Sequence, residues 1–292
     1  MDTKPLTLNL VGCGKAGSVL AYLWHQAGIF NIGRIVTRSR KSAGHAVKRL
    51  GVGTPVSSLN ELGEAELTMI AVPDQHIVQV ASSLAEHNTI SPGSIVFHLS
   101  GALESSELTK SGLANAQVAS VHPLRSFADF HTSVADFSGT WCGYEGSSEL
   151  WPLLNRAFEQ IGARMFQIEP NQKLIYHSAS VIVSNYVNAL VESGLSAYQL
   201  AGIDRDTGQN LIEPILRNTC ENIISSDPGT ALTGPIARGD WQIVRQELEK
   251  LESANSDLAE VYRVMGKATL ALAVSNDLLT PDQVSQLELL LS

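Results

Sequence analysis

The sequence predicts an α/β protein: an N-terminal doubly wound parallel sheet followed by an all-α C-terminal domain. Three observations predict it. Apolar strand patterns alternate with helical patterns up to about residue 168, strand-like runs cease after Glu169-Pro170, and the first strand runs directly into a glycine-rich turn. Regular strand–helix alternation implies parallel strands joined by right-handed crossovers. The predicted domains are therefore residues 1–168 and 169–292.

The first strand is Leu6-Thr-Leu-Asn-Leu-Val11, and Gly12-Cys13-Gly14-Lys15-Ala16-Gly17 follows it at once, with a helical pattern, Ser18 to Ala27, starting inside the motif. A strand, then GxGxxG, then a helix is the context in which this motif cradles a dinucleotide pyrophosphate. Gly12 permits the tight turn, Gly14 allows backbone to approach the phosphates, and Gly17 lets the helix lie close to the strand. The helix start favours the phosphate charge. Cys13 reads as a small filler rather than a nucleophile.

The second strand is read at Gly33–Thr37 and a helix at 42–50. Ser57–Leu62 reads as a cap and a short helix. Leu67-Thr-Met-Ile-Ala-Val72 is a nearly continuous apolar run, as expected of a strand buried on both faces. Taken as the fourth strand, it ends at Pro73-Asp74, and residues 75–85 continue as a helix. The fifth strand, Ser94–Leu99, ends at Ser100-Gly101. The sixth, Gln117–Val121, ends at His122-Pro123. Trp141–Gly146 reads as an edge strand, 151–161 as a helix and Arg164–Ile168 as a last strand.

From Asn171 onward the pattern is helical: one long segment over 172–201, interrupted near Gly194, then 211–225, 235–251 behind the loop Gly234-Pro235, 257–275 and 281–291. The apolar faces of Val181–Leu190 and Leu270–Val274 suit a homodimer interface.

Composition bounds the function. The chain has 292 residues, 44% hydrophobic and 17% charged, with net charge −9. That balance argues against nucleic-acid and anionic-membrane partners. Cys13, Cys142 and Cys220 are odd in number, far apart and without metal-ligand spacing, as in a reduced cytoplasmic protein. No signal peptide is visible, and no apolar run reaches the ~18 residues of a membrane span.

The nucleotide is read from the end of the second strand. A chain preferring NAD carries an acid there, bonding the ribose 2′-hydroxyl. Here the place reads Thr37-Arg38-Ser39-Arg40-Lys41, with hydroxyls and cations but no carboxylate. An arginine pairs well with a 2′-phosphate, so NADP is expected, with Arg38 nearest the strand end. These cations also suit a solvated helix start, and Ser39 suits its cap.

Ligands of open α/β sheets bind outside the carboxyl ends of the strands. Val72-Pro73-Asp74, His98-Leu-Ser100-Gly101 and His122-Pro-Leu-Arg125 all fall there. In strand order 3-2-1-4-5-6, His98 and His122 end neighbouring strands. Two histidines alone do not make a metal site, and none is expected. On the first helix of the second domain, Lys173, His177 and Ser184 share roughly one face, bordered by Asn185.

With these motifs the chain resembles the superfamily of ketopantoate reductase, pyrroline-5-carboxylate reductase and the β-hydroxyacid dehydrogenases, which join a Rossmann domain to a helical domain. More closely, it resembles Rossmann-like oxidoreductases that carry the helical domain of unknown function 2520. The carriers are Gly12–Gly17, Ala71–Asp74, His98–Gly101, His122–Leu124 with Phe127, Tyr176-His177 through Ser184-Asn185, and Leu232–Asp240. The β-hydroxyacid dehydrogenases use a catalytic lysine with an asparagine one turn later. Lys173 matches the lysine, and His177 stands in the asparagine's place.

The resemblance implies an NADP-dependent oxidoreductase acting on a small polar carbonyl, imine or hydroxy acid. Lys173, His177 and His122 are the expected catalytic residues. Gly12, Cys13, Gly14, Lys15, Ala16, Gly17, Thr37, Arg38, Ser39, Val72, Pro73 and Ser100 are expected around the cofactor. His98, Gly101, Ser184 and Asn185 are expected around the substrate. A non-catalytic NADP-binding sensor or scaffold is the alternative, and the full GxGxxG with a basic second-strand end disfavours a methyltransferase.

Overall fold

The protein was analysed as a computed structural model, which describes residues 4–292. It divides into two compact units: one ending at Val181, and the second Ile182–Ser292.

The first unit is built on one eight-stranded sheet. In chain order its elements are β1 (Leu6–Val11), α1 (Lys15–Gln26), β2 (Phe30–Val36), α2 (Arg40–Leu50), β3 (Thr54–Val56), β4 (Leu67–Ile70), α3 (Ile77–Glu86), β5 (Ile95–His98), α4 (Ser106–Lys110), β6 (Gln117–Pro123), α5 (Phe130–Ala135), β7 (Trp141–Gly146), α6 (Trp151–Glu159), β8 (Arg164–Gln167) and α7 (Lys173–Ser180). The sheet order is β3-β2-β1-β4-β5-β6-β7-β8. Alternate residues of the central strands feed two cores. Met69 and Phe97 pack with Leu20, Trp24 and Phe158 on one face. Ile70 and Val96 pack with Ile77, Leu84 and Leu108 on the other. Such two-sided burial is why these strands read as continuous apolar runs. Trp24 meets Phe30, Phe97 and Phe158 edge-on, and its Nε1 donates to the Ala157 carbonyl at 2.9 Å.

Four details depart from the sequence expectation. The sheet is mostly parallel rather than wholly so, because β7 pairs antiparallel with β6 while β8 pairs parallel with β7. β7 is consequently interior, and the half-exposed β8 is the edge. β3 spans only Thr54–Val56, too short to leave a pattern, and β2 starts earlier, at Phe30. Finally, the first compact unit extends beyond 168 to Val181, because Lys173 of α7 is fully buried against β5 and β6.

The second unit contains α8 (Tyr186–Leu200), α9 (Arg205–Ser225), α10 (Pro235–Arg238), α11 (Trp241–Ala254), α12 (Ser256–Ser275) and α13 (Pro281–Leu291). Its core holds Ile236, Val244, Leu270, Leu287 and Leu291. Leu270 is thus spent internally, leaving Val274 as the exposed part of that predicted face. The expected interruption near Gly194 does not occur. A π turn at Val181–Asn185 lies between α7 and α8 instead. Contrary to the expectation that no apolar run is long enough, Pro170–Leu200 meets the length and composition of a membrane span, with mean hydropathy 1.2. Its first α-helical residue, Lys173, is nevertheless anchored on the sheet.

Candidate functional site

The glycine turn forms one wall of a cleft of about 610 Å³ that also includes Val11, Val36, Thr37, Arg38, Ala71, Val72 and Pro73. Each glycine of the motif has its own physical reason. Gly12 has φ +84°, and a Cβ there would lie 2.4 Å from the Ala71 carbonyl oxygen. A Cβ on Gly17 would lie 2.6 Å from that of Ala71, so α1 could not sit so close to β4. At Gly14 a Cβ would meet no protein atom within 4 Å. Neither packing nor backbone angle demands glycine there, and the space over the helix start is open. That open cradle is what a dinucleotide pyrophosphate would fill.

Lys15 and Ala16 form the first turn of α1 with Gly17. Burial raises the Cys13 thiol to about 11, so it stays protonated, as a filler should. Thr37 and Arg38 reach the cleft, whereas Ser39 does not border it. Its hydroxyl caps α2 by accepting from Ser42 N at 3.2 Å. Ser42, Leu59, His76 and Gln79 also line the cleft and were not foreseen. Ser42 lies three residues past the cap, a spacing that could have revealed it.

A second polar cluster surrounds the ends of β5 and β6. Lys173 has no solvent exposure, and its Nζ donates to the Ser100 carbonyl at 2.9 Å and to Ser120 Oγ at 2.5 Å. Ser120 in turn donates to the Ser100 carbonyl at 3.0 Å. Burial lowers Lys173 to about 8, opposed by the charges of Glu145, Asp74 and Glu104. Glu145 stands opposite Ser120 in the β6–β7 register. Its buried carboxylate accepts from Ser105 N at 2.6 Å and Ser105 Oγ at 2.7 Å, which fixes the chain entering α4. Lys173, expected to be catalytic, is thus engaged here by the ends of β5 and β6.

Two expectations are corrected. His98 is fully buried. Its Nδ1 accepts from Ser100 N at 3.2 Å, and its Nε2 donates to the Glu104 carbonyl at 3.3 Å. With both ring nitrogens engaged, it is a structural residue. Burial and the Lys173 charge hold it neutral, near 3. The Ser100 hydroxyl is likewise committed. It donates to Asp74 Oδ2 at 2.6 Å and accepts from the N–H groups of Ala102 and Leu103, so it is not free for the cofactor.

His122, Tyr176 and His177 are half-buried. Nδ1 of His122 lies 2.9 Å from the Tyr176 hydroxyl, and its ring centroid is 6.0 Å from that of His177. Gly101 packs between the two histidines: a Cβ there would lie 2.7 Å from His122 Cε1 and from His177 Cδ2. Tyr176 was singled out only as a carrier of the resemblance and given no site role, although it lies three residues after Lys173 on the same helix. Ser184 and Asn185 lie in the exposed π turn and belong to the second unit. Among the described residues, no three His, Cys, Asp or Glu side chains are grouped to hold a metal ion.

Comparison with known proteins agrees with this architecture. Residues 1–123 match the family model of a Rossmann-like domain, and residues 140–269 match the domain of unknown function DUF2520. Protein TM1727 from Thermotoga maritima has a solved structure 28% identical in sequence, covering 92% of this chain and 99% of its own, with TM-score 0.73. Plasmodium falciparum pyrroline carboxylate reductase with NADP bound is 17% identical, covering 93% and 99%, with TM-score 0.56. Synechocystis arogenate dehydrogenase is 18% identical, covering 97% and 96%, with TM-score 0.57. None of the curated proteins matches the sequence. With a doubly wound N-terminal unit and an all-helical C-terminal unit, the chain matches in order the models of a Rossmann-like domain and of the DUF2520 domain.

Proposed function

We propose that the chain is a nicotinamide-dependent oxidoreductase that prefers NADP and acts on a small polar carbonyl, imine or hydroxy acid. The observation that carries this reading is the glycine cleft, open at Gly14 and bounded at the second-strand end by Thr37 and Arg38 rather than by an acid. Gly12, Gly14 and the start of α1 would hold the pyrophosphate, and Arg38 with Ser42 would meet the 2′-phosphate. The bound cofactor supplies or accepts the hydride. The reductase with NADP bound and the dehydrogenase of similar fold support the general chemistry.

In this reading His122, with Tyr176 and His177, faces the substrate. Lys173 positions the cluster by holding Ser100 and Ser120, and its charge helps to keep His122 near 4, after the larger effect of burial. Exposed Ile182, Val183, Tyr186 and Leu190 support a homodimer formed through the second unit. The test is NADPH oxidation over a panel of small carbonyl compounds, cyclic imines and, in reverse, hydroxy acids. Turnover with NADPH in preference to NADH is expected. Tight NADPH binding with no turnover on any panel member would instead make the chain a sensor or scaffold.

A further inference from the structure

The function above leaves open which of carbonyl and imine the site accepts, and the surroundings of His122 bear on that choice. Its Nδ1 and the Tyr176 hydroxyl lie at 2.9 Å, with the rings edge to face at 86°. Of the two polarities, phenol donating to imidazole is the stronger. The phenol is the better donor and an unprotonated imidazole nitrogen the better acceptor. Burial raises the Tyr176 pKa, so the phenol keeps the proton that it donates. Gly101 lies close against one side of the ring, where a Cβ would be 2.7 Å from Cε1 and 2.9 Å from Nδ1. Nε2 has no hydrogen-bond partner among the described residues, and His122 is only half-buried.

We propose that Tyr176 fixes His122 in the tautomer that presents Nε2–H to the substrate, and that the site therefore takes a reacting group that accepts a hydrogen bond, a carbonyl oxygen, in preference to a protonated imine. The proposal rests on the hydride-transfer reading for its substrate half and on geometry alone for its tautomer half. Burial, Lys173 and His177 all disfavour an imidazolium here, with only Asp74 opposing them, so the ring is neutral at pH 7. A neutral ring whose Nδ1 accepts from Tyr176 carries its proton on Nε2. An iminium N–H would confront that N–H donor to donor, whereas a carbonyl oxygen is polarised by it.

In the reductive direction, the carbonyl carbon takes a hydride pair from reduced nicotinamide and the C=O π pair moves onto oxygen. The oxygen takes the Nε2 proton and water returns one to Nε2, releasing hydroxide, while the Tyr176 phenol keeps its own proton and holds Nδ1 as the acceptor. Oxidation retraces the path. Tyr176 is thus a positioning residue that acts through His122.

The test is nitrogen NMR of the full chain labelled with 15N-histidine, with His122→Asn identifying the resonances. At neutral pH the account expects a protonated Nε2 and an unprotonated, hydrogen-bonded Nδ1. In Tyr176→Phe the Nδ1 resonance should move to that of a free nitrogen, and the Nδ1–H tautomer should become detectable. A wild-type protein with Nδ1 protonated overturns the proposal. In parallel, NADPH oxidation is compared between 2-oxo acids or aldehydes and 1-pyrroline compounds at a pH where the imine is protonated. Carbonyl turnover at least ten-fold faster supports the proposal, and imine turnover alone overturns it while sparing the hydride-transfer reading. If neither panel reacts, that reading fails and the tautomer measurement still decides the proposal.

Discussion

Lys173→Met removes a buried ammonium while nearly preserving the side-chain volume. Lys173 is lowered from 10.5 to about 8 by burial, against the pull of Glu145, Asp74 and Glu104. At about 1.4 kcal/mol per pH unit, that lowering corresponds to a cost of about 3 kcal/mol for keeping the group charged in the folded chain. Below pH 8 folded and unfolded chains both hold the proton, and the full cost is present. Between pH 8 and 10.5 the unfolded chain still holds it and the folded chain does not, so stability rises with pH through that window. Methionine has nothing to titrate. The stability of wild type minus that of Lys173→Met should therefore increase by up to about 3 kcal/mol from pH 7.5 to 10.5, where other titrations cancel in the difference. Urea unfolding followed by the fluorescence of buried Trp24 measures it. At neutral pH the variant should fold about as stably as the wild type, since replacing a buried ion by an apolar group is often neutral. With the charge gone, His122 should titrate closer to its ordinary range. A stability difference that is flat with pH, or that falls, would refute the reasoning and make Lys173 a net stabilising partner of Glu145.

Arg38→Ala should weaken NADPH binding about ten- to hundred-fold, as expected for about 1.5–3 kcal/mol from a charge-assisted contact, and leave NADH binding unchanged. Equal losses in calorimetric titrations would remove the 2′-phosphate assignment. Gly101→Ala places a methyl group 2.7 Å from both His122 and His177. Overpacking of this kind costs about 1–3 kcal/mol, so thermal unfolding should shift down while NADPH affinity persists. An unshifted unfolding temperature would mean that the two rings are not packed as described. Light scattering at micromolar concentration should give the mass of a homodimer, and a monomer mass would contradict that assembly.

Much of the fold was legible because its signals are local. The glycine turn, the two-sided apolar runs of β1, β4 and β5 and the helical texture after Pro170 each report their own environment. The direction of β7 was not legible, since Trp141–Gly146 looks the same read either way and only its pairing with β6 makes it antiparallel. In the site, strand ends pointed to His122, and the helix face pointed to Lys173 and His177. Position could not tell His122, with a ring nitrogen unpaired among the described residues, from His98 at the end of the neighbouring strand, whose ring is wholly engaged by Ser100 and Glu104. Tyr176 was hidden because an aromatic residue amid Leu174 and Ile175 reads as packing. Glu145 was hidden because nothing local announces that a carboxylate will be buried against the N–H and hydroxyl of Ser105.

The central claim is that the open space over Gly14 is the seat of a nicotinamide dinucleotide. NADPH binding to Gly14→Val, titrated by ligand fluorescence beside the wild type, tests it most directly. The added side chain meets no protein atom at its Cβ, so the fold and unfolding temperature should be retained. The account predicts saturable NADPH binding by the wild type and its loss in the variant. A wild type that does not bind NADPH, or a folded variant that binds it as tightly, would contradict it.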